Sequence, residues 1–206
     1  MKRELIILKD ARLLIWELTE SAETLKNQLN LTEYDKSEFE KIVSEKRKLE
    51  FLGIRIALKT LFGKEIQIRY DRDGKPYLLD NKHHISISHS NQWIAVMVHP
   101  THSVGIDIEC PTDKIQKLYK RFLCPEEQYD LSEGNDNRQL LLAWSAKEAL
   151  YKIIGKDAID FATQLRIFPF EVKQSGEMTA QHVPTKSLYN LYYRLSDNYS
   201  MVYCLT

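Results

Sequence analysis

Apolar residues come in short blocks whose spacing changes along the chain. The run from Leu13 to Leu18 suits a strand. Ser21 can cap a short helix reaching about Leu29. From about Lys36 to Phe62 the period is helical: Leu49, Leu52, Ile56 and Lys59 share a face, with Phe51, Arg55 and Leu58 beside it. Gly63 stops that helix. An extended segment, Ile66 to Tyr70, then leads into the turn Asp71-Arg72-Asp73-Gly74. Two strands follow, His84 to His89 and Trp93 to Val98.

The second half runs in the same order. Val104 to Glu109 reads as a strand, and Lys114 to Leu131 as helix in two pieces, with Pro125 in the first turn of the second. Residues 136–154 predict a strong helix, capped by Asn135 or Asp136 and stopped by Gly155. Leu165–Val172, Met178–Val183, Leu188–Leu195 and Tyr199–Cys204 read as strands. No repeat is visible residue by residue. The shared order predicts an α+β fold of two similar α+β halves, a pseudo-dimer. Each half, 1–100 and 101–206, is expected to be a small antiparallel sheet packed with helices.

Composition narrows the function. A length of 206 residues, 43% of them hydrophobic, fits one large domain or two small ones with real cores. Lys plus Arg equals Asp plus Glu at 29 each, which argues against a general nucleic-acid binder but leaves room for a local basic pocket. Cys110, Cys124 and Cys204 form an odd, unpatterned set and read as free thiols in a reducing compartment. The apolar run Leu5–Leu8 is interrupted by Lys9, Asp10 and Arg12 before a signal-peptide core can form, and no stretch approaches a membrane span. The expectation is a cytoplasmic monomer without membrane or nucleic-acid partners.

The candidate chemistry lies in two segments. Asp107 and Glu109 are two apart on a strand, so both carboxylates leave one face ~6–7 Å apart, while Ile106 and Ile108 turn to the core. Converging hard oxygens are what Mg²⁺ requires, with phosphates and water completing its shell. An isolated Asp-x-Glu is more often a solvated strand face. On the helix 136–154, Ala143, Ala146, Leu150 and Ile153 form an apolar face, and Leu141, Trp144 and Tyr151 put large apolar bodies on other sides. Such a helix is covered on more than one side. Glu148 and Lys152, at i and i+4, share a face. They are either an ordinary surface pair or a third metal ligand with a phosphate ligand.

Val104-Gly105-Ile106-Asp107-Ile108-Glu109, followed by Trp144-Ser145-Ala146-Lys147-Glu148-Ala149-Leu150-Tyr151-Lys152, resembles the paired signature of the 4′-phosphopantetheinyl transferases. The resemblance implies Mg²⁺ on Asp107, Glu109 and Glu148, and Lys152 on a phosphate of coenzyme A. Gly74-Lys75-Pro76 resembles the family's Gly-Lys-Pro element, and Ile85–Ser90 its Ser-His-Ser strand end, which places Lys75, Ser88 and His89 at coenzyme A. Arg47, with Arg55 behind it, is the candidate for the 3′-phosphate. Length and the upstream elements suggest the single-chain, pseudo-dimeric type that resembles the surfactin-synthetase activator.

The reaction so implied is attack by a serine of an apo acyl or peptidyl carrier protein on the β-phosphorus of coenzyme A, with 3′,5′-ADP leaving. Glu127 or Glu148 is the candidate base; Glu127 follows Pro125 in Arg121-Phe122-Leu123-Cys124-Pro125-Glu126-Glu127, which resembles a family segment bearing a base glutamate. At a helix start it equally suits the helix dipole. The segment Lys114–Arg121, with Lys117 and Lys120, is the candidate carrier dock. The alternatives are a non-catalytic coenzyme A-binding regulatory protein and a metal-dependent nuclease. His83, His84, His89, His99 and His102 fit no zinc spacing well. The tyrosines of the last strands suit sheet packing rather than base stacking. Ser88 and Ser90 lack the glycines of a hydrolase nucleophile turn.

Overall fold

The apolar run at Leu13–Leu18 becomes β2 (Ala11–Glu17), an inner strand of an antiparallel sheet. The protein is described by a computed structural model, which describes residues 3–80, 82–132, 137–155 and 159–206. The chain divides into two compact units, Met1–Thr101 and His102–Thr206. In both, helices pack with antiparallel sheet, an α+β fold.

In the first unit the sheet order is β1 (Arg3–Leu8), β2, β6 (Trp93–His99), β5 (His84–Ser90). Strand β1 was not predicted. Its Leu5 and Ile7 are exposed at the sheet edge, so its apolar alternation is weak. The polar interruption after Leu8 is the hairpin turn, with Lys9 in the left-handed region at φ 51°. Helix α1 (Ala22–Lys26) is capped by Ser21, whose hydroxyl accepts from the Thr24 N–H, and it ends before the expected Leu29.

The single helix expected from Lys36 is two, α2 (Glu33–Glu40) and α3 (Glu45–Phe62). The cause is a second cap: Ser44 is extended at ψ 124° and its Oγ accepts from the Arg47 N–H. Gly63, at φ 69°, ends α3 as expected. Helix α3 buries Leu52, Ile56, Leu58 and Leu61 in one cluster with Leu14, Trp16, Ile94 and Val96 of the sheet. Strands β3 (Ile68–Tyr70) and β4 (Pro76–Leu78) form a separate ribbon.

A buried ion pair fixes α2 on α3. Arg55 donates from Nε and Nη2 to Asp35 Oδ1 at 2.9 and 2.8 Å, and its guanidinium lies 3.2 Å over the Phe51 ring. Arg55 is thereby committed to structure and cannot stand behind Arg47 at a phosphate.

In the second unit the sheet order is β7 (Val104–Glu109), β11 (Ser200–Leu205), β10 (Ser187–Leu195), β9 (Ser175–His182), β8 (Leu165–Ile167), all antiparallel. The strand expected to reach Val172 stops at Ile167; Pro169 follows and cannot donate to a ladder. A short helix before it, α7 (Phe161–Gln164), was not predicted, although Asp160 caps it. The segment 114–131 forms α4 (Ile115–Leu118), a 3₁₀ turn (Tyr119–Arg121) and α5 (Pro125–Ser132). Helix α6 (Asn137–Ile154) packs on β7 and β11 and also meets α4, α5 and β8, which accounts for its broad apolar girth. The proposed caps Asn135 and Asp136 lie outside the described residues. Among the described residues no helix is long and apolar enough to cross a membrane.

Removing one partner of a buried pair strands the other charge. Asp35→Ala is expected to lose about 3–5 kcal/mol of stability in urea titrations, and Asp35→Leu combined with Arg55→Met to recover most of it.

Candidate active site

The site is built by laying a strand against a helix at unusually short range. A Cβ added to Gly105 would stand 1.9 Å from the Ala149 carbonyl oxygen and 2.9 Å from Ile153 Cγ1. Gly105 therefore faces α6, and the period of two puts Asp107 and Glu109 on that same face. Long helix side chains on either side of Glu148 then reach the strand. Gly105 meets Ala149 and Ile153, Asp107 meets Lys152, and Glu109 meets Trp144. Ile106 and Ile108 are buried on the opposite face of β7.

The polar contacts follow this register. Lys152 Nζ donates to Asp107 Oδ1 at 2.9 Å and to the Ile106 carbonyl at 2.8 Å. Trp144 Nε1 donates to Glu109 Oε1 at 3.3 Å. Glu148 lies between these contacts on α6. Burial, then the negative charges of Asp107 and Glu109, push its carboxyl up to about 7, with Lys152 opposing. Glu148 thus feels both carboxylates of β7. Yet among the described residues no three His, Cys, Asp or Glu side chains are drawn together as a ready metal cage. The acids face each other at electrostatic range, and Asp107 is held by an ammonium group. Two to three negative charges, depending on the protonation of Glu148, stand against one positive charge. The hard carboxylate oxygens and the residual charge of this set suit a divalent ion.

Glu127 does not join this cluster. It is 1% exposed, and Lys147, immediately before Glu148, is 0% exposed. Lys147 Nζ is ringed by four oxygens: Glu127 Oε2 and the carbonyls of Phe122, Phe161 and Leu165, all at 2.7–2.8 Å. Glu127 also accepts from Cys124 N–H on Oε2 and from Ile167 N–H on Oε1, at 2.9 and 2.6 Å. Burial pulls the Lys147 pKa down and Glu127 opposes the shift. The pair anchors α6 to the loop before α5, to the start of α7 and to β8. Sequence reasoning quoted Lys147 within its motif but gave it no role. Its signal was a lysine within the apolar stripe Leu140, Ala143, Leu150. For Gly105 the signal was a glycine inside a strand.

The remaining candidates lie in the first unit. Arg47 Nη1 donates to Glu50 Oε2 at 3.0 Å and lies 3.1 Å from His89 Nε2, so Arg47 and His89 are brought together. Ser88 is not with them. Ile85 and Ile87 of β5 join the cluster that α3 covers, and His89 continues that face, whereas Ser88, one residue away, is directed to the other. Lys75 follows Gly74, which is at φ 81°. The turn is held by Asp71, whose Oδ1 accepts from the Asp73 and Lys75 N–H groups. The expected dock is exposed at Lys117, Leu118, Lys120 and Arg121.

The sequence model of the 4′-phosphopantetheinyl transferase superfamily matches residues 103–204, which contain β7, α6 and the whole carboxylate cluster. The chain is 29% identical over 113 residues to a putative 4′-phosphopantetheinyl transferase of Haemophilus influenzae, covering 52% of this chain and 48% of that protein. It is 38% identical over 74 residues to a holo-[acyl-carrier-protein] synthase of Bacillus subtilis, covering 27% of this chain and 61% of that protein. With the corresponding synthase of Anoxybacillus flavithermus it shares 32% over 106 residues, 41% of this chain and 88% of that protein. The chain thus spans about half the length of the Haemophilus influenzae relative and nearly all of the smaller Anoxybacillus one. It belongs to the 4′-phosphopantetheinyl transferase superfamily.

Two outcomes test the site's physics. Gly105→Ala is expected to push β7 off α6, costing about 3 kcal/mol or more in denaturant titrations. For Glu148 the folded pKa is the higher one. The stability it contributes is complete below its ordinary value of 4.5 and is lost as pH rises through about 7. Glu148→Gln cannot ionise, so in EDTA it is expected to exceed the wild type by about 1–3 kcal/mol above pH 7. The two should converge near pH 4.5. Thermal melts across pH, with and without divalent ion, read this directly; added ion should narrow the gap by stabilising the wild type.

Proposed function

We propose that this chain transfers the 4′-phosphopantetheine arm of coenzyme A to a serine of an apo acyl or peptidyl carrier protein, releasing 3′,5′-ADP. The observation that carries the reading is the facing of Asp107, Glu109, Glu148 and Lys152 across the β7–α6 contact, inside the segment that matches the family. The relatives from Bacillus subtilis and Anoxybacillus flavithermus, named holo-[acyl-carrier-protein] synthases, support a carrier protein as acceptor.

In this proposal Asp107, Glu109 and Glu148 hold Mg²⁺, whose chemistry is to neutralise pyrophosphate charge. Lys152 leaves Asp107 for a phosphate oxygen of the leaving group. Glu148, beside the β7 carboxylates, is the candidate to take the serine proton. Glu127 is buried against Lys147 and serves as anchor, so the base falls to Glu148. Arg47, His89 and Lys75 bind coenzyme A phosphates, with Ser88 lending its strand rather than its hydroxyl. The exposed Lys117, Leu118 and Lys120 offer a mixed basic and apolar surface to an acidic carrier helix. We place the chain with the single-chain, two-half enzymes that resemble the surfactin-synthetase activator. Both units pack an 18-residue helix, α3 or α6, against an antiparallel sheet, which supports that placement.

Incubation with coenzyme A, Mg²⁺ and apo carriers of fatty-acid, polyketide and nonribosomal peptide types is expected to add one phosphopantetheine mass to at least one carrier. EDTA should stop the reaction, and Glu148→Gln should slow it by about 100-fold or more. Coenzyme A binding without mass gain on any carrier would replace the proposal with a regulatory coenzyme A-binding role.

A further inference from the structure

The β7–α6 contact is closed at one end and open at the other. At Gly105 the strand rests on the Ala149 carbonyl with no room for a carbon. Helix α6 runs back along β7, so its first turns lie beyond Glu109, and there the two elements part. A cleft of about 830 Å³ opens between Pro111, Thr112 and Asp113 after the strand and Asn137, Arg138 and Leu141 of the helix. It reaches the carboxylates, because Ser200 lines it and pairs with Glu109 in the ladder. Two irregular segments form its other walls, and each is held by a hydroxyl. The turn from β10 to β11 is held by Ser196, whose Oγ accepts from the Asn198 and Tyr199 N–H groups at 3.2 and 3.1 Å. The segment before β9 is pinned by Tyr193, which donates to the Glu171 carbonyl at 2.7 Å and accepts from the Lys173 N–H at 3.0 Å. Tyr193 lies against Gly176, where an added Cβ would stand 2.6 Å from its Oη. The cleft is thus built before any ligand arrives, and its volume falls within the roughly 300–1,000 Å³ of small-molecule sites.

The lining restricts the ligand's chemistry. Leu141 and Tyr199 are buried in it, and Val172 and Leu195 half-buried, which gives an apolar surface. Asp113 and Asp197 are balanced by Arg138 and Lys173, all exposed at the rim. Thr112, Asn137, Gln174 and Ser196 add hydroxyls and amides. A phosphate finds no excess of positive charge here, and an acidic helix finds no basic stripe. An uncharged chain of apolar carbons broken by amides suits all of these features. We infer that the cleft receives the pantetheine arm of coenzyme A. The inference rests on the function proposed above, which places the phosphates of that ligand but not its uncharged half. With the pyrophosphate at Asp107, Glu109 and Glu148, the arm runs past Glu109 into the cleft. It cannot run the other way along the contact, because Gly105 shuts that end. Its methyl groups meet the apolar lining, its amides meet the side-chain amides and hydroxyls, and its thiol lies deepest.

The test compares coenzyme A with adenosine 3′-phosphate 5′-diphosphate, which keeps the phosphates and lacks the arm. Titration calorimetry with Mg²⁺ is run on wild type, Thr112→Trp and Val172→Trp, which narrow the cleft from different walls, with melting temperatures recorded for each. In parallel, coenzyme A carrying a photoreactive diazirine on its sulfur is cross-linked to the wild type and the adducts are mapped by mass spectrometry. The expected result is a wild-type preference for coenzyme A of about tenfold or more. Both variants should lose most of that preference, while binding of the armless ligand moves less than about twofold. Adducts should fall within 111–113, 137–141, 172–174 or 195–200. No wild-type preference, retained preference in both variants, equal weakening of both ligands, or adducts confined to other residues overturns the inference while leaving the coenzyme A reading in place. Variants that keep coenzyme A affinity but slow carrier modification overturn it in favour of a carrier contact. If neither variant folds, the wild-type adducts decide. Failure of the wild type to bind either ligand removes the coenzyme A reading and this inference together.

Discussion

Helix and sheet normally pack with a layer of side chains between them, and that layer keeps backbone-mounted groups apart. At Gly105 the layer is missing, so β7 rests on the Ala149 carbonyl with no room for a single carbon. The facing of Asp107 and Glu109 toward α6 follows from that contact. The acids two and four residues further along the strand must then face α6. There Asp107 meets Lys152 and Glu109 meets Trp144. The raised pKa of Glu148 is the electrostatic expression of the same closeness.

Close approach fixes the distance between strand and helix but not the rotation of the helix about its axis. That second constraint comes from Lys147. Neighbouring helix positions project about 100° apart, so an ammonium group sunk among four oxygens on one side turns Glu148 toward another. The motif's adjacent lysine and glutamate divide the labour, one holding the helix and one facing the carboxylates of β7. In the first unit the same economy appears on α3, where Arg55 is spent on Asp35 and Arg47 is left at the surface.

The α+β class and most inner strands were legible because burial imposes a clear period on them. What the pattern concealed has specific causes. Strand β1 escaped notice because an edge strand with exposed Leu5 and Ile7 has little need to alternate. The break between α2 and α3 rests on one serine hydroxyl, a signal weaker than the helical period on either side of it. The carboxylates Asp107 and Glu109 were placed by counting in twos. The same count applied to Ser88 and His89 would have separated them, but the motif lists them side by side. Lys147 was missed because a charged residue next to a recognised one is easily taken as solvated, and only its burial reveals otherwise. The anchoring place of Glu127 likewise depends on Lys147 and Ile167, which are far from it in sequence and unpredictable from it.

The lysine seated on Asp107 has a consequence for ion choice. The carboxylate already has one full positive charge beside it, supplied by the chain itself and therefore present at high local concentration. Sodium or potassium would have to displace it for no gain in valence. A doubly charged ion brings a surplus, and the displaced ammonium remains nearby on α6. Were the Mg²⁺ of the proposed function to bind, it would have to displace an ammonium group tethered to the same chain, so its affinity would report the strength of the Lys152–Asp107 pair as well as the charge of the site.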